Sequence, residues 1–187
     1  MTSILKVDTI QDADGNNIIN ESGNTITIGA SGDTTNIIGT LQNDGVAVTN
    51  TPAFYAYVNG SAQSVSNDTY TKVTLAGTLL DTDSAFSSNK FTVPSGQAGN
   101  YFLSGSAGYN SGTDWDYHAV FIYKNGTSIS KASNRQEYDT LNKTSVVTTL
   151  AVGDYIELYV RQIQGGSHNL RTDSQEVYLQ GFKLIGV

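Results

Sequence analysis

The stretch that decides the fold is GDYIELYV, at residues 153–160. A Gly-Asp turn is followed by strict alternation, which places Ile156, Leu158 and Val160 on one side of an extended chain. Tyr155 and Tyr159 lie on the other side, around a single glutamate. This pattern predicts a β-strand with an apolar inner face and an aromatic outer face.

Similar runs recur along the chain, at 70–75 (YTKVTL), 119–123 (AVFIY), 146–150 (VVTTL) and 177–185. They are separated by turn residues, and Asn125-Gly126 is a hairpin signal. Ser, Thr and Asn together make up 57 of the 187 residues, and these residues disfavour helix interiors. Short strands with frequent turns predict an all-β sandwich or barrel.

Composition and charge exclude several classes of protein. There are 10 Lys+Arg against 17 Asp+Glu, a formal charge of −7, which argues against a nucleic-acid partner. The chain has no cysteine, so disulfides and thiolate metal sites are excluded. No apolar run approaches the ~20 residues of a membrane span. The segment after Met1 lacks the basic start and apolar core of a signal peptide, so we do not expect secretion.

The chain divides into two regions of different composition. Every aromatic residue lies at or after Phe54, and the residues before it are rich in isoleucine, with turn residues at regular intervals. Such a segment buries too little apolar surface to offset roughly 1–2 kcal/mol of backbone entropy per residue. We therefore expect residues 1–50 to form a short extended β-rich anchor or stalk by self-association, or a disordered tail that orders on a partner. Residues 51–187 are expected to form the head.

Aromatic residues occupy the outer face of several predicted strands. A monomeric sandwich normally presents polar residues there, whereas tyrosine is enriched at subunit interfaces. We therefore predict a homotrimer. The predicted trimer-interface residues are Tyr117, Phe121, Tyr123, Tyr155, Tyr159 and Phe182.

The order of five motifs resembles the C1q/tumour-necrosis-factor-like jelly roll. They are AFYAY at 53–57, FTVPSGQAGNYF at 91–102, the Asn125-Gly126 hairpin, LAVGD at 150–154 and GFKLI at 181–185. The resemblance implies a jelly-roll sandwich and a trimer with the aromatic inner sheet at its three-fold axis.

The N-terminal runs LKVDTIQDADGNNIIN (5–20) and TITIG (25–29) resemble the leaders of virion proteins from marine and freshwater bacteriophages, including cyanophages. This resemblance implies a short fibre or a capsid decoration (cement) protein on the virion surface, with other capsid or tail proteins as partners. The predicted anchor residues are Ile4, Leu5, Val7, Ile10, Ile18 and Ile19.

One cluster of residues is a candidate glycan site, because aromatic faces beside carboxylates can hold sugars. Its members are Tyr109, Asp114, Trp115, Asp116 and Tyr117. One alternative function is therefore a receptor-binding tail-fibre adhesin that recognises a host surface glycan. A second is a glycan-cleaving tailspike enzyme, which needs paired carboxylates; Asp114 and Asp116 are the obvious pair.

Catalytic and metal-binding patterns are weak. Asp116 and His118 could form a carboxylate–imidazole pair, but no serine is placed as a nucleophile. The DADGN run at 12–16 has glycine at the fourth position of a calcium loop instead of the sixth. We therefore expect no enzyme activity, cofactor or metal, and no membrane insertion. The leading interpretation is a non-enzymatic homotrimeric virion protein, made in the host cytoplasm, with its jelly roll displayed outward.

Overall fold

The computed structural model of the chain describes residues 37–39, 41–43, 46–48, 50–110, 116–135 and 141–185. Over these ranges the chain forms fifteen β-strands and no helix, which confirms the predicted all-β fold. The strands are β1 (Gln42–Asn43), β2 (Val46–Ala47), β3 (Ala53–Tyr57), β4 (Ser64–Val65), β5 (Thr71–Lys72), β6 (Gly77–Asp81), β7 (Phe86–Ser87), β8 (Lys90–Thr92), β9 (Gly99–Gly108), β10 (Tyr117–Lys124), β11 (Thr127–Asn134), β12 (Leu141–Leu150), β13 (Tyr155–Ile163), β14 (His168–Asn169) and β15 (Tyr178–Lys183).

Two antiparallel sheets form the sandwich. Sheet I has the order β11-β10-β13-β8-β7, and β5 also pairs with β13. Sheet II has the order β12-β9-β15-β3-β6. Two short pairs, β14 with β4 and β1 with β2, lie outside these sheets. In sheet II the last strand, β15, lies between β3 and β9, so strands distant in sequence become neighbours.

The core lies between the two sheets and is built from alternate residues of the long strands. Ile156, Leu158 and Val160 on β13 are 0% exposed, as the alternation at 153–160 predicts. Leu103 and Leu179 belong to the same buried cluster and come from sheet II. Burying each such side chain stabilises the folded state by about 1.5–3 kcal/mol. The alternation therefore fixes which face of each strand points inward.

A glycine in sheet II permits close packing. A Cβ atom on Gly181 would lie 2.7 Å from Cδ2 of Leu103 and 2.8 Å from the carbonyl oxygen of Phe102. Atoms cannot approach so closely without displacing the backbone, so glycine is required at this point of β15. The requirement gives a physical reason for the glycine of the GFKLI motif.

Asn125 and Gly126 form the predicted hairpin turn between β10 and β11. Their φ angles are +50° and +79°, the left-handed values that a tight hairpin of this type needs. The Asn125 side chain also accepts a hydrogen bond from the Tyr155 N–H, at 2.9 Å. The turn is therefore tied to the start of β13.

The Gly-Asp turn before β13 is fixed by the carboxylate of Asp154. This carboxylate accepts hydrogen bonds from the Asn125 side chain (2.7 Å) and the Ala151 N–H (2.8 Å), and it pairs with the Lys124 ammonium at 2.9 Å. The hydrogen bond from Lys124, followed by that from Ala151, lowers the pKa of Asp154 to about 2. The aspartate of the LAVGD motif thus joins the β12–β13 turn to the β10–β11 hairpin.

All fifteen strands lie in the second of two units into which the chain divides, Met1–Leu41 and Gln42–Val187. The predicted anchor residues lie outside the described residues: Ile4, Leu5, Val7, Ile10, Ile18 and Ile19. The anchor and the boundary at residues 50 and 51 therefore stay predictions. In the described part of the chain, no helix has the length and apolar character needed to cross a bilayer.

Candidate functional site

The predicted trimer-interface residues fall on both outer faces of the sandwich. Tyr117, Phe121 and Tyr123 lie on β10. Phe121 is paired with Tyr159 across the sheet, so all three share the outer face of sheet I with Tyr159. Tyr155, four residues before Tyr159 on β13, lies on the same face. Phe182 pairs with Phe102 on the outer face of sheet II. These faces point away from each other, so the structure does not bring Phe182 together with the other five residues.

On the outer face of sheet I, the rings pack against one another. The rings of Tyr123 and Tyr159 stack with centroids 4.3 Å apart, and Phe121 lies 5.3 Å from Tyr70. Phe121 is only 4% exposed, whereas Tyr70 is 50% exposed. Part of this aromatic layer is therefore covered within the chain itself, and part of it faces solvent.

Positive charges lie over this aromatic layer. The Arg161 guanidinium lies 5.0 Å from the Tyr70 ring centroid and 5.8 Å from that of Tyr117. Its Nε donates to the Asp68 carboxylate at 2.8 Å, and this hydrogen bond raises the pKa of Arg161 above its ordinary value. Lys72 forms an ion pair with Glu157 at 2.7 Å. These two cations are held in place by carboxylates.

Two further cations surround Tyr117 without such partners. The Lys131 ammonium lies 5.8 Å from the Tyr117 centroid, and the Arg135 guanidinium lies 5.7 Å from it. Among the described residues, neither forms an ion pair with a carboxylate. Both side chains belong to exposed residues. We call the outer face of sheet I the cationic face; its residues are Tyr70, Lys72, Tyr117, Phe121, Tyr123, Lys131, Arg135, Tyr155, Glu157, Tyr159 and Arg161.

The outer face of sheet II is also aromatic but carries almost no charge. Tyr55 stacks on Tyr178 with centroids 5.2 Å apart, and Phe102 lies 5.4 Å from Phe182. Among the described strand residues, the register places only one charged side chain on this face, Lys143 at one end. We call this surface the uncharged face; its residues are Tyr55, Tyr57, Leu80, Phe102, Ser104, Ser145, Val147, Tyr178, Gln180 and Phe182.

Apolar side chains of the uncharged face are open to solvent. Val147 is 60% exposed, Leu80 46% and Phe182 38%. Tyr55 is fixed by its hydroxyl, which donates to the carbonyl oxygen of Ser174 at 2.9 Å. An extended apolar surface of this kind is typical of a site where another molecule binds.

The predicted glycan contacts are only partly brought together. Asp114 and Trp115 lie outside the described residues. Tyr109 is 3% exposed and its ring lies edge-on to that of His118, with centroids 6.1 Å apart, so it is inside the sandwich. Tyr117 lies on the cationic face instead, and Asp116 directly precedes it. The Tyr109 ring is therefore not available at the surface beside Tyr117.

His118 has a structural position in the core. It is 1% exposed, and the amide nitrogen of Asn142 donates to its Nδ1 (2.7 Å) and to its carbonyl oxygen (3.0 Å). Because Nδ1 accepts a hydrogen bond, the ring is neutral, and burial lowers the pKa of His118. His118 lies on β10 and Asn142 on β12, so this contact links sheet I to sheet II.

No cluster of three or more His, Asp or Glu side chains that could hold a metal ion is present among the described residues.

The sequence motifs missed the uncharged face, because only Phe182 of its aromatic residues was predicted at an interface. The alternation in AFYAY at 53–57 could have revealed it, since Phe54 is buried while Tyr55 and Tyr57 point outward.

Comparison with known proteins identifies the fold. No protein-family model matches the sequence, and no curated protein matches it. Among solved structures, the chain is similar to Eiger TNF from S. frugiperda, with 13% identity and a TM-score of 0.52 over 74% of this chain and 96% of that one. Murine APRIL is similar with 14% identity and a TM-score of 0.53 over 71% of this chain and 100% of the other.

The globular domain of zebrafish complement 1qA is similar at 17% identity, with a TM-score of 0.45 over 72% of this chain and 98% of that one. The fold assignment rests on the first two structures, whose low identities bear on architecture alone. Together with the order of the strands in sheets I and II, they show that this chain has the TNF/C1q-like jelly-roll fold.

Proposed function

We propose that this chain is a non-enzymatic structural protein of a bacteriophage particle and works as a homotrimer. Residues 1–50 attach to the capsid or tail, and residues 51–187 form a head displayed outward, as a short fibre or decoration protein. The single observation that carries the trimer is the uncharged face of sheet II. The phage setting is supported by the resemblance of the leader at 5–20 to virion proteins.

The uncharged face suits a second copy of the same chain. This face combines packed aromatic rings with hydroxyl and amide side chains, so contact would bury apolar area without stripping water from charges. A stable interface buries about 800 Å² on each partner, and one face of a five-stranded sheet is large enough to supply it. Closed symmetry would cover this face in every copy.

The test is the mass of the purified full-length protein in solution, by light scattering or native mass spectrometry. The expected mass is three times that of the 19.9 kDa chain. Val147→Asp introduces a charge on the uncharged face and should release monomers. Val152→Asp is the matched control, because Val152 is similarly exposed (53%) but lies in the β12–β13 turn, and it should remain trimeric.

A wild-type protein that is monomeric at micromolar concentration would contradict the trimer. If both aspartate variants kept a trimeric mass, the assignment of the subunit interface to the uncharged face would be contradicted. Attachment to a particle is tested separately, by a cryo-EM map of the virion in which three copies of the sandwich are sought at one position on the capsid or tail.

The second candidate function is a receptor-binding adhesin that recognises a host surface glycan. The cationic face favours it, because the partly buried Tyr117 and the half-exposed Tyr70 lie beside charged donors. Trp115→Ala tests the candidate contact predicted from the sequence: loss of particle adsorption to host cells would support this function. Unchanged adsorption would show that Trp115 is not a receptor contact.

A further inference from the structure

We infer that the cationic face binds an anionic saccharide, with the ring of Tyr117 against the sugar and with Lys131 and Arg135 paired to its carboxylate or sulfate groups. The inference names the ligand class of the receptor-binding candidate above and rests on that candidate. It depends neither on the trimer nor on the location of the protein in a particle.

The site is built on a fixed stack of side chains. The Arg161 guanidinium lies between the rings of Tyr70 and Tyr117, at 5.0 and 5.8 Å from their centroids. Asp68 holds that guanidinium through its Nε at 2.8 Å and balances its charge. Tyr70 in turn packs on the buried Phe121. Because these groups hold one another, the Tyr117 ring is oriented before any ligand arrives.

Lys131 and Arg135 add two positive charges beside this stack, whose own guanidinium is balanced by Asp68. Within the described ranges, Lys72, Lys124 and Arg171 pair with carboxylates at 2.6–2.9 Å. Lys131 and Arg135 form no such pair there, yet both lie within 6 Å of the same ring. Two such cations beside one aromatic ring can pair with anionic groups of a ligand.

A saccharide fits this patch better than a bare anion or a nucleic acid. Aromatic faces stack on the C–H faces of sugars, and tyrosine hydroxyls donate and accept hydrogen bonds with sugar hydroxyls. Nucleic acid carries one charge per few ångströms and requires many clustered cations. Two cations at one ring suit a polymer whose charges are spaced by whole sugar residues.

The experiment measures binding of the full-length protein to polygalacturonate and dextran sulfate by biolayer interferometry at low ionic strength, with neutral dextran and a short double-stranded DNA as comparison probes. The wild type should bind the two anionic polysaccharides and not dextran, and binding should weaken as salt is added. Lys131→Gln with Arg135→Gln should lower the affinity about tenfold. Tyr117→Leu should lower it about fivefold, whereas Tyr117→Phe keeps the ring, loses only the hydroxyl and should lower it less.

Lys183→Gln is the matched control for a single lysine. Lys183 lies on β15 of sheet II, where its ammonium bonds to the Gln97 side chain at 3.2 Å, and its loss should leave binding unchanged. Lys131→Gln alone should bind more weakly than this control. The inference is overturned if the wild type prefers neither anionic polysaccharide over dextran, or if the double variant binds as tightly as Lys183→Gln.

Two further results separate a saccharide site from a nucleic-acid site and from a subunit contact. DNA binding as tight as polysaccharide binding, with no effect of Tyr117→Leu, would overturn the assignment to a saccharide. The mass of every variant is measured in the same samples, and a double variant that lost the wild-type mass would place Lys131 and Arg135 in a subunit contact and overturn the site. A wild-type monomer that still bound would contradict the trimer and leave the saccharide site standing.

Discussion

The two outer faces of the sandwich are both rich in tyrosine and phenylalanine, but they differ in what surrounds the rings. On the cationic face, the Arg161 guanidinium lies between two tyrosine rings, and Lys131 and Arg135 flank Tyr117. On the uncharged face, hydroxyl, amide and aliphatic side chains surround the rings, and Val147 is 60% exposed. The same residue types therefore occur in two different electrostatic settings.

Exposed tyrosine alone therefore does not identify an interface. Burying the cationic face against another copy would bring lysine and arginine side chains close to their equivalents, with a cost in desolvation and repulsion. Burying the uncharged face carries little such cost, because Lys143, at one end, is the one charged strand residue that the described register places on the outer face of sheet II. We therefore expect the uncharged face to meet other copies and the cationic face to remain outward.

The largest effect should come from the core that both faces share. Leu158→Ala removes a side chain that is 0% exposed and should lower the free energy of unfolding by about 2–5 kcal/mol. Urea unfolding followed by circular dichroism measures this, with Val152→Ala as a surface control that should change it by less than about 0.5 kcal/mol. Equal effects of the two variants would show that the sheets do not depend on this core position.

The next largest effect should come from the corner at which the Asp154 carboxylate joins the β12–β13 turn to the β10–β11 hairpin. Asp154→Asn weakens its bonds with Lys124, Asn125 and Ala151 and should cost about 1–3 kcal/mol. Because the folded pKa of about 2 lies below the ordinary value, this stabilisation is complete above about pH 4 and is lost as the pH falls toward 2. Urea unfolding at neutral and acid pH measures both effects, and the variant should show less of the acid loss.

Asp83→Asn is the control for that corner, because within the described ranges the Asp83 carboxylate accepts a hydrogen bond from the adjacent Thr82 and does not join separate turns. It should retain both the neutral stability and the acid dependence of the wild type. An Asp154→Asn variant that was as stable as this control would show that the corner does not stabilise the fold.

A smaller pH effect should come from the link between the two sheets. The folded state keeps His118 neutral and lowers its pKa, so the unfolded chain binds the proton more readily. Stability should therefore be complete above about pH 6.5 and fall as the pH drops below it. His118→Gln should reduce this loss and His168→Gln should keep it, as measured by thermal melts at several pH values. Identical pH profiles for the two variants would contradict the assignment.

The smallest effect should come from a single cation on the cationic face. Lys131→Gln removes one exposed cation–π contact with Tyr117 and should lower stability by about 0.5–1 kcal/mol or less. Chemical unfolding measures it, and added salt should shrink the difference between variant and wild type. A loss of several kcal/mol would mean that Lys131 supports the fold, and the contrast between the two faces would need revision.

Local patterns predicted much of the fold. The alternation around Ile156, the Asn125-Gly126 hairpin and the Asp154 turn depend on neighbouring residues, and the structure confirms each of them. The division of the aromatic residues between two faces depends on which strands pair. That pairing joins β3 to β15 and β10 to β13 across long separations, so Phe182 and Tyr117 could not be assigned to different faces from spacing alone.

The same limit applies to the candidate saccharide site. Lys131 comes next to Phe121 only through the register of β10 with β11, and Arg161 reaches Tyr117 and Tyr70 only through the position of β13 beside β10. The sequence showed Tyr117 as a candidate contact, but its partners came from three separate segments. A charge pattern that depends on long-range register cannot be read from one sequence.

The division of roles between the two faces can be tested by hydroxyl-radical footprinting of the full-length protein in solution, read out residue by residue by mass spectrometry. We predict that Tyr70 and Tyr117 on the cationic face are oxidised rapidly, while Val147 and Phe182 on the uncharged face are protected despite their exposure in the single chain. Rapid oxidation of Val147 and Phe182 together with protection of Tyr70 and Tyr117 would show that the cationic face, and not the uncharged face, meets other copies.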